Sequence, residues 1–184
     1  MGTGHLVMGE LADYLTGKTL PDTHDERLFQ QISRFLVEQK GYLKSDIIPR
    51  RTLRLSVDGK SGIVRVHFTL RVYDVSLMVL MYGPGSVVTR ERPTLAAARL
   101  IEETYIVPFC AITNGREASV MDSRTGKVFE KDLNGIFSRT DAMARLGGYI
   151  PEKLSPERRK KEERILFAMD VLTEQECVDF TCRM

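Results

Sequence analysis

The sequence has no long apolar run. Its most continuous hydrophobic stretch, Leu77 to Met81, is far short of the roughly 20 residues a membrane-crossing helix needs. The N-terminus has no basic region leading into an apolar segment, and Leu6 stands where a myristoylation signal would want Ser or Thr. Cysteine is scarce. Three thiols at 110, 177 and 182 make an odd number in a chain too long to need staples, which fits reduced cysteines better than a disulfide framework. Excess charge of one sign is also missing: 27 Lys and Arg stand against 25 Asp and Glu, a net charge of +2. Any basic surface must therefore be local. Repeats and low-complexity segments are absent. Together these point to a cytoplasmic protein with no membrane partner.

What remains is ordinary globular material: 184 residues, 42% hydrophobic and 28% charged, enough for one domain with an appended helical piece. Leu6, Val7, Met8, Leu11, Ala12, Tyr14 and Leu15 approximate a helical stripe over residues 6–16, which Gly17 would end. Thr23 and Glu26 have capping-box spacing. Leu28, Ile32, Phe35 and Leu36 then recur at helical intervals until Gly41. From there the period changes to two. Leu53, Leu55 and Val57 lead through the turn residues 58–62 into Val64, Val66, Phe68, Leu70 and Val72, a hairpin with one buried face. Residues 77–82 are apolar at every position, as in a central strand covered on both sides.

After Gly83-Pro84-Gly85-Ser86, Pro93 opens an Ala- and Leu-rich helix reaching about Glu103. A strand at 109–113, the Asn114-Gly115 turn and two short segments near 118–121 and 127–129 read as a meander. The fold class is α/β (α+β), a mixed sheet flanked by helices. A soft boundary at Gly147-Gly148 divides a domain over 1–146 from a helical C-terminal extension over 147–184. In that extension Ser155-Pro156 starts a helix whose Ile165, Leu166, Ala168, Met169 and Leu172 can dock.

Common fingerprints fail. Gly59-Lys60-Ser61 ends like a phosphate-binding loop, but Arg54 stands where the first Gly belongs. Gly83-Pro84-Gly85 lacks the third Gly of a dinucleotide loop. Cys177 and Cys182 have no His or further Cys nearby to complete a zinc site. The run from Arg158 to Arg164 places Glu157 and Lys161, Arg158 and Glu162, and Arg159 and Glu163 four apart, the pattern of an exposed helix laced by ion pairs.

A different set of segments is more telling: Asp22-Thr23-His24-Asp25-Glu26-Arg27-Leu28, Gly41-Tyr42, Tyr82-Gly83-Pro84-Gly85-Ser86, Arg90-Glu91-Arg92-Pro93, Ala96-Ala97-Ala98-Arg99-Leu100, and Pro108 through Gly115. In this order, from about Leu15 to Phe129, the chain resembles the N-terminal domain of type I restriction enzyme R subunits and its stand-alone relatives. The resemblance implies a restriction-endonuclease-like fold and a history in DNA cleavage. Such centres use an Asp on the second strand and a Glu-x-Lys on the third, because carboxylates hold Mg²⁺ beside the scissile phosphate and the Lys offsets developing charge. Laid onto this chain, those positions are His67, Met81 and Gly83. All three catalytic residue types are lost.

The expected function is therefore a degenerate nuclease-like domain that binds nucleic acid or a protein partner and takes no metal. Arg65, His67, Arg71, Ser86, Arg90 and Arg92 form the candidate anion-binding patch, with Glu91, Glu102 and Glu103 as the surface partners that would otherwise neutralise it. Two other readings stay open. One is an active Mg²⁺-dependent DNA endonuclease using relocated carboxylates at Asp74, Glu91 and Glu26, although Glu26 already has a capping role. The other is a homo-oligomer, as in a homodimer packed through the central strand and the C-terminal helix.

Overall fold

A computed structural model describes residues 7–170. Cys177, Cys182 and Leu172 lie outside the described residues.

The chain opens with a small antiparallel hairpin of β1 (Glu10–Ala12) and β2 (Thr19–Pro21), not with the helix expected over residues 6–16. The reason is local. Gly9 and Gly17 take φ of +133° and +72°, conformations that break a helix, and the buried Asp13 carboxylate accepts from the backbone N–H groups of Leu15 and Thr16. Such local side-chain bonding favours a turn over a helix. Leu15 still packs against the core, so the apolar stripe was real and its period was not.

Helix α1 (His24–Arg34) begins as the spacing predicts, with Thr23 Oγ1 accepting from the N–H of Glu26 at 3.1 Å. It runs on through one π-helical turn, Phe35–Gln39, and stops at Gly41, whose φ of +73° lets the N–H of Tyr42 reach back to the carbonyl of Leu36. Phe29, Ile32, Phe35 and Leu36 are buried. Each contributes roughly 2 kcal/mol of burial, and Phe29 stacks on Phe68 at 4.2 Å between ring centres.

Six strands form the main sheet in chain order: β3 (Ile47–Val57), β4 (Lys60–Val72), β5 (Val75–Tyr82), β6 (Phe109–Thr113), β7 (Ala118–Asp122) and β8 (Val128–Glu130). Every neighbouring pair is antiparallel except β5 and β6, which are parallel and joined through α2 (Glu91–Leu100). The fold is thus the expected mixed sheet with helices on both faces. Met78, Leu80 and Tyr82 of β5 enter the apolar layer beneath α1 and α3 (Arg139–Leu146). Val79 and Met81 enter the layer beneath α2 and α4 (Pro156–Asp170). This two-sided cover is why β5 reads as apolar throughout.

The β3–β4 ribbon does something its alternation does not announce. Phe68, Leu70 and Val72 face the α1 layer, whereas Val64 and Val66, of the same parity, belong to the α2 and α4 layer. Pairing of β4 with β5 ends at Phe68 and Leu80, and from there the two-stranded ribbon twists away on its own. At the corner Arg50 holds a φ of +54°, uncommon for a residue other than glycine.

Helix α4 packs on α2 through one buried apolar side chain, Leu166, assisted by Phe167. Met169, expected on the docking stripe, is about half exposed. Glu162, expected to be solvated and paired with Arg158, is instead 3% exposed, with Arg99 at 2.6 Å and Arg92 at 2.6 Å. Arg99 also donates to the carbonyls of Ser123 and Arg124. Arg158 turns to the Arg124 carbonyl, and only the Arg159–Glu163 pair forms as the spacing predicts. Among the described residues no helix is long and apolar enough to cross a membrane.

Candidate functional site

The twist of β4 away from β5 opens a cleft of about 290 Å³ at the C-terminal end of β5. Val64, Met81 and Ile112 line it with apolar surface. Phe29 and Glu26 come from α1, Tyr82, Gly83 and Pro84 from the end of β5, Arg90 from the turn before α2, and Asp170 from the end of α4. His67, Met81, Gly83 and Glu26, widely separated in sequence, line this single space.

His67 stands where β4 leaves β5. Its Nδ1 accepts from the N–H of Tyr82 at 3.1 Å, replacing a ladder bond that the diverging strand can no longer supply. Burial, then the positive charges of Arg65, Arg50 and Arg90, push its pKa down to about 4. The ring is therefore neutral at pH 7, with the Nδ1 lone pair occupied and the proton on Nε2. A nitrogen engaged in this way cannot serve as a metal ligand.

Glu26 does not close the reciprocal half of a capping box. The N–H of Thr23 bonds to the Pro21 carbonyl, while Glu26 Oε1 accepts from Gln30 Nε2 at 2.6 Å and from Arg50 Nη2 at 2.5 Å. The other side of the Arg50 fork reaches Asp13 Oδ2 at 2.7 Å, and the guanidinium lies 3.8 Å from the centre of the Phe29 ring. Burial by itself would raise the Asp13 carboxyl. The hydrogen bonds from Thr16, Arg50 and Gln30 outweigh it and hold the group below the usual carboxylate range. One guanidinium thus holds Asp13 and the cleft-lining Glu26, while Asp25 and Asp170 also line the cleft.

Gly83 has a specific consequence. A Cβ there would lie 2.6 Å from Cδ and Nε of Arg90, so the Arg90 side chain occupies the space a side chain at 83 would need. Arg90 faces Asp170 at 3.9 Å, a loose contact beside those of Arg50. Burial raises the Asp170 pKa and Arg90 only partly offsets that.

The remaining sequence-predicted residues lie elsewhere. Arg71 and Asp74 pair with each other at the turn before β5, Asp74 lying eight residues and roughly 26 Å of extended chain from Tyr82, and the Asp74 side chain is 97% exposed. Glu91 accepts from Ser119 Oγ at 2.6 Å. Arg92 is committed to Glu162, Ser86 is an exposed loop residue, and Glu102 holds Arg51 and Ser76. The structure does not bring Asp74, Glu91 and Glu26 together. Among the described residues no three His, Cys, Asp or Glu side chains gather as a metal site. Of the six patch residues, Arg65, His67 and Arg90 line the cleft.

Sequence reasoning missed Arg50, Asp13 and Asp170. The first two were hidden by an expected helix and by a backbone conformation no pattern announces. Asp170 sits on the described end of α4, where nothing in the sequence marks it. Compared with models of protein families, with curated proteins and with solved structures, the chain matches none of them.

Proposed function

We propose that this chain is a nuclease-like domain, related to the N-terminal domain of type I restriction enzyme R subunits, that binds nucleic acid through the cleft without cutting it. One observation carries the reading: residues 67, 81 and 83, which the resemblance assigns to a nuclease centre, line one cleft together with Glu26. What stands there is a carboxylate held by Arg50, a neutral imidazole, a thioether and a glycine filled by Arg90. Mg²⁺ activation of water needs several converging oxygen ligands; the carboxylate among these positions is held by Arg50, and among the described residues Asp25 and Asp170 do not gather with it as a metal site. Phosphate binding needs cations, and Arg65 and Arg90 bring guanidinium groups to the cleft lining.

The test is paired. Plasmid and oligonucleotide DNA should stay intact with Mg²⁺ or Mn²⁺, while binding measured by fluorescence anisotropy should weaken with salt. Arg90→Ala should reduce affinity about tenfold, and Arg71→Ala, at the far end of β4, should leave it unchanged. Metal-dependent cleavage abolished by Asp74→Ala with Glu91→Ala would overturn the reading in favour of an active enzyme. Absence of any nucleic-acid binding would overturn it in favour of a protein partner.

A further inference from the structure

The binding reading leaves open what form of nucleic acid the cleft accepts. A duplex presents a rail of phosphates and sugars, and a protein that follows it needs a broad cationic surface. This site is different. It is a recess at the low end of the size range of small-ligand pockets, with Val64, Met81 and Ile112 beneath and aromatic rings at its side. The His67 ring lies 6.5 Å from Phe29 and 6.1 Å from Tyr82, so three flat side chains border one space. An apolar recess edged by rings suits the face of a base, and every base has one.

The anion position is equally local. Arg50 is held at 2.7 Å or less by two carboxylates and is not available. Arg90 meets its carboxylate at 3.9 Å, the long limit of an ion pair, and lies flat against Gly83 beside the recess. Asp170 is a weak partner for it, since a half-buried carboxylate with one distant cation is poorly solvated. A phosphate, with more charge and more acceptor oxygens, competes well for the same guanidinium.

Resting on the binding reading, we infer that the cleft takes a single unpaired nucleotide, its base over Val64, Met81 and Ile112 and its phosphate on Arg90 in place of the Asp170 carboxylate. A single-stranded DNA 12-mer carrying one 2-aminopurine is the direct probe. Its fluorescence should change on binding, and its affinity should exceed that of the matching duplex by on the order of tenfold. An abasic replacement at the probe position, in a strand short enough to offer one register, should lose most of that advantage. Asp170→Asn should tighten binding. Arg90→Ala should weaken it, and Gly83→Ala should do the same by evicting Arg90 from the recess, with thermal melts confirming that both variants fold.

Equal affinity for single strand, abasic strand and duplex, with Arg90 dependence intact, would overturn this inference and leave nucleic-acid binding standing. Loss of all binding in the unmodified protein would overturn both. Weaker binding by Asp170→Asn would show that the carboxylate does not hold the phosphate position, and the inference would fall on that ground too.

Discussion

Two ionic triads of opposite composition flank the sheet. On the α1 side one cation, Arg50, stands between two carboxylates, Asp13 and Glu26. On the α4 side one carboxylate, Glu162, stands between two cations, Arg92 and Arg99. The first is a quarter exposed at its arginine, and the second is almost completely covered at Glu162 and Arg99. Their tasks differ accordingly. The Arg50 triad fixes a backbone corner and removes carboxylate charge from the cleft. The Glu162 triad seats a helix that has little apolar surface to offer. Buried ion pairs seldom add net stability over well-packed apolar groups, but breaking one is costly because the partner is left charged in a dry place.

That contrast gives graded expectations. Glu162→Ala should cost the most, about 3–5 kcal/mol, because it strands Arg99 and unseats α4. Urea unfolding is the measurement, and a loss below 1 kcal/mol would show that α4 is held by Leu166 alone. Acidification comes next. His67 takes up a proton near pH 6.5 when unfolded but only near pH 4 when folded, so stability should fall as pH drops through this interval, by up to about 3 kcal/mol. His67→Gln should flatten that part of the profile, while the depressed Asp13 carboxyl adds its own loss as pH falls below the ordinary carboxylate range. Arg50→Ala should cost about 2 kcal/mol, less than Glu162→Ala because water reaches this triad. If the two losses are equal, burial is not what separates the triads. Asp74→Ala removes an exposed pair with Arg71 and should leave the melting temperature unchanged.

The parts of this architecture that were legible in the sequence are those decided by neighbours along the chain. Thr23 spaced three before Glu26, the stripe from Leu28 to Leu36 ending at Gly41, and the unbroken apolar run of β5 each name their structure locally. The first hairpin was not legible, because Leu11 and Leu15 satisfy a helical period while Asp13 between them bonds to its own turn. The change of layer along β4 could not be read either. Val66 and Phe68 keep the same parity, and only the parting of β4 from β5 tells their destinations apart. Glu162 shows the limit most clearly. Its spacing from Arg158 suggests a solvated pair, yet the arginines it meets are 63 and 70 positions earlier, on another helix. Of the six expected patch residues, Arg65, His67 and Arg90 come together because they flank the apolar strand ends that form the recess, whereas Arg71 pairs with Asp74 and Arg92 with Glu162, and Ser86 lies outside the cleft lining.

Gly83 and Arg90 also share a single berth. Because any side chain at 83 must displace the arginine, the two positions are exclusive tenants, and the effect of changing one depends on the other. Installing lysine at 83 while Arg90 remains sets two cations against each other, and removing Arg90 while Gly83 remains leaves the berth empty. Coupling between positions 83 and 90 is therefore expected whatever the cleft holds, and a double-mutant cycle measures it.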